Sequence, residues 1–145
     1  MNETEIQRKK SLLQLLKEYE ETELKGEEER IFEEMNKISS IPIDQSFLEQ
    51  YWSSVSADEF CTIHSVIPEN GRNITDENVT GIIEILVQSA EDIDKSEYYM
   101  LKYEEAIEFY FKKNSGSLRE ILWEDEEPDV SKIIKKLSKP DIISL

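Results

Sequence analysis

The chain has 145 residues, 33 of them acidic and 17 basic, a formal net charge of −16 and a single cysteine, Cys61. That length suits one domain, read below as all-helical over residues 1–145, that folds without metal or cofactor, and one cysteine excludes an intrachain disulfide and fits a reducing, cytoplasmic setting. The acidic excess disfavours direct contact with nucleic acid or anionic lipid and favours a basic protein partner.

The excess is unevenly placed. Residues 1–37 hold 11 acidic and 7 basic side chains, and residues 95–145 hold 11 and 9. Between Ile38 and Asp94 there are 11 acidic residues against Arg72 alone, a local charge of −10. The first ten residues, MNETEIQRKK, are polar and lack the apolar core of a signal peptide. No apolar run is long enough to span a membrane, so neither export by that route nor membrane embedding is expected. Without a secretion signal, the glycosylation patterns at Asn2, Asn73 and Asn78 read as chance matches in a polar chain.

In chain order, Ile6, Leu12, Leu13, Leu15, Leu16, Tyr19 and Leu24 recur at helical spacing and predict an amphipathic helix over about 4–24, with Gly26 as its stop. The pattern is compatible with a frayed or flexible first helix. Ile31, Phe32, Met35 and Ile38 predict a shorter second helix. Pro42 breaks the pattern and Asp44 caps the next helix, whose apolar side is Phe47, Leu48, Tyr51, Trp52 and Val55. Ser56-Ala-Asp-Glu59 is a capping box for a helix running through Phe60, Ile63 and Ile67. Pro68-Glu-Asn-Gly71 is a turn.

Thr75-Asp-Glu predicts the start of a regular helix carrying Val79, Ile82, Ile83, Leu86, Val87 and Ala90. Gly81 in its interior suggests that another helix crosses closely there. The stretch from Glu97 to Lys113 holds six of the chain's thirteen aromatic residues and reads as the central helix. Its core arc is Tyr99, Met100, Tyr103, Ala106, Ile107, Tyr110 and Phe111, with Glu104, Glu105 and Glu108 outside. Tyr98 and Phe109 fall together on the far side, where a purely structural helix more often carries charge. Asn114-Ser-Gly-Ser ends the helix, and Leu118, Ile121, Leu122 and Trp123 predict one or two turns. After the acidic loop of Glu124 to Asp129, a last helix carries Val130, Ile133, Ile134 and Leu137, and the tail at 141–145 either docks as a strand or frays. With no alternating strand pattern, the expected architecture is all-α: a single-domain bundle of six to eight amphipathic helices.

The chemistry-bearing patterns are few. Cys61 and His64, three apart on a helix, suit two metal ligands or a nucleophile pair, but no second pair exists to complete a zinc site. Asp92-Ile-Asp-Lys-Ser96 starts like a calcium loop, then has Glu97 where glycine is needed and Tyr103 where a bidentate glutamate is needed. Glu105-x-x-Glu108 followed by Glu126-x-x-Asp129 resembles the metal-binding signature of all-α nucleoside triphosphate pyrophosphohydrolases. That resemblance implies magnesium held by carboxylates of facing helices. Tyr103-Glu-Glu-Ala-Ile-Glu-Phe-Tyr110 resembles the second helix of a tetratricopeptide repeat and implies a helical adaptor, though no second copy follows at the repeat period. There is no glycine-rich phosphate loop and no Ser-His-Asp set.

A non-catalytic binding module is the reading that size, charge and class favour. In character the chain is similar to bacterial immunity proteins and antitoxins that cover the basic cleft of a toxin such as a nuclease. The expected partner-binding residues are the acidic clusters Asp58 with Glu59, Asp76 with Glu77, Glu91 with Asp92 and Asp94, and Glu124, Asp125, Glu126 and Glu127, with Tyr98, Phe109 and Trp123 as aromatic anchors. A helical adaptor binding a protein client is the alternative, and the magnesium-dependent pyrophosphohydrolase a second.

Overall fold

In the computed structural model the helical periodicities become eight α-helices, with no strand among the described residues. The structure describes residues 1–124 and 126–140, with Ile93 and Asp94 described by backbone alone. The elements are α1 (Glu3–Glu21), α2 (Lys25–Ile38), α3 (Gln45–Leu48), α4 (Ala57–Ile63), α5 (Val79–Ser89), α6 (Ile93–Tyr110), α7 (Ser117–Glu124) and α8 (Val130–Leu137). Two 3-10 turns, Tyr51–Ser53 and Gly71–Asn73, join them. The chain divides into two compact units, Met1–Ile67 and Pro68–Leu145. None of the described helices is long and apolar enough to cross a membrane.

In the first unit α1 packs against α2 and α4. Leu12 and Leu16 of α1, Ile31 and Met35 of α2, Leu48 of α3 and Phe60 of α4 form the core. Burying each such side chain contributes about 1.5–3 kcal/mol relative to leaving it in water. The helix starts follow the local chemistry. Asp44 accepts the Phe47 N–H at 3.0 Å and Ser56 accepts the Glu59 N–H at 3.1 Å, so both expected caps are present. A third cap lies at α1, where Asn2 and Glu5 form a reciprocal capping box. Glu5 does more than cap. It is fully buried, and its second carboxylate oxygen accepts the Ile67 N–H at 2.8 Å.

Helix ends and exposures differ from expectation in this unit. The first helix ends at Glu21, with Thr22 already extended, and Gly26 lies in the first turn of α2, where the missing side chain disturbs no packing. Ile6 and Leu24, expected on the apolar stripe, are exposed. The fourth helix stops at Ile63, because His64 takes up the C-cap and its ring nitrogen Nδ1 bonds the Phe60 carbonyl at 2.8 Å.

In the second unit α6 packs against α5, α7 and the Gly71–Asn73 turn, and α8 closes on α5 and α7. Val79, Ile83 and Leu86 of α5, Met100, Ala106 and Ile107 of α6, Leu118 and Leu122 of α7, and Ile133 and Leu137 of α8 form its core. The fifth helix begins at Val79 and not at Thr75. Thr75 and Asn78 instead bond each other's backbone N–H groups through their side chains, which closes a turn before the helix. Gly81 faces open space, so no helix crosses there. Gly71 is the glycine that close approach requires: a Cβ on it would lie 2.4–2.8 Å from the ring and Cβ of Phe109. The sixth helix starts at Ile93 and ends at Tyr110 with Lys112 in the left-handed region at φ 57°. The Lys113 N–H reaches back to the Glu108 carbonyl at 2.8 Å, the six-to-one bond of a Schellman end in which lysine stands where glycine is usual. The tail at 141–145 lies outside the described residues.

Candidate functional site: an acid-rimmed apolar groove

Helices α5, α6 and α7 leave an open groove of about 590 Å³ in the second unit. Leu86 and Val87 of α5, Ala90 at its end, Met100 of α6 and Leu122 of α7 line it with apolar surface. Leu86, Met100 and Leu122 are core residues that meet the groove at its base, and Val87, half-buried, and Ala90, exposed, are the positions beside that stripe.

The placement of α7 depends on a residue assigned by sequence to the solvent side of α6. Glu108 is buried, and its carboxylate accepts the Leu118 N–H at 3.1 Å and a backbone bond from Gly116. A side chain from the preceding helix thus caps the start of α7. Burial pushes the Glu108 carboxyl above its ordinary value; the Leu118 N–H opposes this, and the like charges of Glu104 and Glu105 add to it. At the other end of α7, Lys136 of α8 bonds Glu124 at 2.6 Å. Held at both ends, α7 carries Trp123 outward with 73% of its surface exposed.

Four carboxylates rim the groove: Glu91 and Glu97 near the α5–α6 junction, and Glu126 and Glu127 on the segment after α7. Arg119 is the one basic residue among the lining side chains. It is engaged, since its guanidinium pairs with Glu104 and lies 5.9 Å from the centre of the Trp123 ring. The result is an apolar floor with an excess of negative charge at its edge and an indole free to make contact.

The structure therefore brings Glu91, Trp123, Glu126 and Glu127 together and separates the other expected residues. Asp58 and Glu59 sit in the first turn of α4 in the first unit, with Asp58 paired to Lys9 at 2.8 Å. Asp76 and Glu77 are exposed in the turn before α5, and Asp76 accepts the Tyr110 hydroxyl. Asp92 accepts the Lys95 N–H at 3.4 Å at the start of α6. Glu124 is exposed beside the groove and bonded to Lys136. Asp125 and the Asp94 side chain lie outside the described residues. Phe109 is 62% exposed, as expected, but it lies over Gly71 and not on the groove. Tyr98 is a correction: it is 6% exposed and unavailable as an anchor. Its ring meets Tyr99 edge-on at 5.1 Å, and Lys102 lies over its face at 5.8 Å, so long side chains cover what the helical wheel left open. Glu97, Arg119 and the apolar floor escaped the sequence reading. The spacing of Glu97 to Met100, one turn apart on α6, is the signal that could have joined rim to floor.

The other chemical patterns do not assemble. Glu108 is committed to capping α7, and Asp129 caps α8 by accepting the Lys132 N–H at 3.1 Å. With Glu105 and Glu126 exposed elsewhere, the pyrophosphohydrolase-like ligand set is not gathered. Among the described residues no three His, Cys, Asp or Glu side chains are placed to hold a metal ion. Cys61 is fully buried, and burial, opposed by Lys9 and aided by Asp58 and Glu20, pushes its thiol up to about 12. His64 stacks on Phe60 with ring centres 4.2 Å apart, and burial lowers its pKa. A protonated thiol and a core imidazole do not make a nucleophile pair.

Comparison with protein-family models, with curated proteins and with solved structures returned no match.

Proposed function

We propose that the chain is a non-catalytic acidic binding module whose second unit receives a basic protein, in the manner of immunity proteins and antitoxins that cover the functional cleft of a toxin such as a nuclease. The observation that carries this is the groove: four carboxylates around an apolar floor, with Trp123 exposed at its edge. The net charge of −16 steers a basic surface toward the chain, and the rim then stands in for the phosphates such a surface would otherwise bind. An exposed indole and apolar floor supply the desolvated contact that charge alone does not. The reading places the protein in the cytoplasm, where its single buried thiol stays reduced.

The apolar floor also favours the adaptor reading, in which a client binds by its apolar face without basic character. Salt separates the two: carboxylate steering weakens as ionic strength rises and apolar docking does not. The test is affinity capture from source-cell lysate at low salt on the wild-type chain and, in parallel, on a Trp123→Ala/Glu126→Gln/Glu127→Gln variant. The expected result is one basic protein held by the wild type, released at a defined salt step and lost from the variant, whose activity is blocked when the chain is added back. Equal capture on both chains, or clients without basic character, overturns the proposal.

A further inference from the structure

We infer, resting on the reading of the groove as the dock for a basic protein, that the part of the partner which enters is a single amphipathic α-helix, apolar on one side and flanked by Lys and Arg. The floor consists of side chains from three helices, and no described residue is in a strand, so no sheet edge offers N–H and C=O groups to an extended peptide. An extended segment laid on Leu86, Val87, Ala90, Met100 and Leu122 would bury backbone groups without partners, at a cost of about 1–3 kcal/mol each. A helix arrives with its backbone bonds already made.

Charge then selects which helix. Two separate segments contribute the rim, Glu91 with Glu97 and Glu126 with Glu127. The single lining cation, Arg119, is paired with Glu104 and neutralises none of the four directly. An acidic or neutral helix would leave these carboxylates crowded against an apolar surface without counter-charge, whereas one with apolar residues at i, i+3 or i+4 and i+7 and basic residues beside them satisfies floor and rim together. Trp123 offers its exposed face to an apolar or guanidinium group at the edge of the contact.

The test uses the full chain with Trp52→Phe, which leaves Trp123 as the sole indole. Two peptides of the same Leu and Lys composition are titrated against it, each of about 14 residues, near the length at which an isolated helix becomes stable. One has a helical apolar stripe; the other has its order scrambled to remove it. The striped peptide is expected to shift Trp123 emission to the blue and to bind about tenfold more tightly than the scrambled one. That preference is expected to vanish in Ala90→Arg, a change at an exposed floor position that adds bulk and like charge. Equal, salt-sensitive binding of both peptides overturns the helix inference and leaves the basic-partner reading standing. Binding of neither at low salt overturns both, and a preference that survives Ala90→Arg removes the helix from the groove.

Discussion

Glu5 accepts the backbone N–H of Ile67 at 2.8 Å, so a carboxylate in the first turn of α1 fastens the last residue of the first unit, 62 positions along the chain. The same side chain caps its own helix by accepting the Asn2 N–H at 3.0 Å. Removing it takes away the acceptor that two backbone N–H groups share. Glu5→Ala is expected to destabilise the first unit by about 2–4 kcal/mol, and Glu5→Gln, which keeps one acceptor oxygen, by about half that. Urea unfolding followed by Trp52 fluorescence in a Trp123→Phe background measures both; a loss below about 0.5 kcal/mol for Glu5→Ala contradicts the assignment.

Glu108 and His64 are expected to respond to acid in opposite senses. Burial raises the folded-state pKa of Glu108 above its ordinary 4.5, so its contribution to stability is greatest at low pH and is lost as pH rises through the raised value. Burial lowers the pKa of His64 below 6.5, so its contribution is present at neutral pH and is lost as pH falls through the lowered value. The stability of Glu108→Gln relative to wild type should therefore increase as pH rises above 4.5. The first unit, read by Trp52, should weaken as pH drops below 6.5. Unfolding midpoints across that range decide it, and a pH-independent difference for Glu108→Gln counts against the buried carboxylate.

Gly71 and Phe109 are predicted to be coupled. A Cβ at position 71 would lie 2.8 Å from Phe109 Cβ, too near the backbone for a ring rotation alone to relieve. Gly71→Ala is expected to cost about 1–3 kcal/mol, as overpacking does. In a Phe109→Ala background, which removes the ring contacts at 2.4 and 2.7 Å but keeps the Cβ at 2.8 Å, the cost should fall in part. A double-mutant cycle that shows additivity would contradict the contact.

Lys112→Gly tests the end of α6. Lysine at φ 57° carries a conformational cost that glycine lacks, so this change should stabilise the second unit by about 0.5–1 kcal/mol despite glycine's greater freedom in the unfolded chain. Thermal unfolding reports it. Destabilisation would mean that the lysine side chain contributes more than its backbone strain removes.

Much of this architecture was legible in the sequence because it is local. The apolar periodicities of residues 79–90 and 130–137 recover α5 and α8, and Asp44 and Ser56 cap where their side chains can reach their own helices. What stayed hidden depends on contacts between elements distant in sequence. Glu5 and Glu108 look like surface carboxylates on a helical wheel, yet each is buried by meeting a backbone N–H that another segment supplies. Tyr98 looked exposed for the converse reason, since a wheel does not register the side chains that cover it. At the site, Glu91, Glu126, Glu127 and Trp123 could be named from charge and aromaticity. That they share one groove, while Asp58 and Asp76 lie elsewhere with partners of their own, is tertiary information.

The most direct measurement of the central claim is the backbone-amide NMR footprint of the isotope-labelled chain with the basic protein that it captures. The groove account predicts shifts concentrated at Leu86 to Glu91, Glu97 to Met100 and Arg119 to Trp123, fading together as salt is raised. A footprint on the first unit or around Phe109, with the amides of these three segments unmoved, would contradict it.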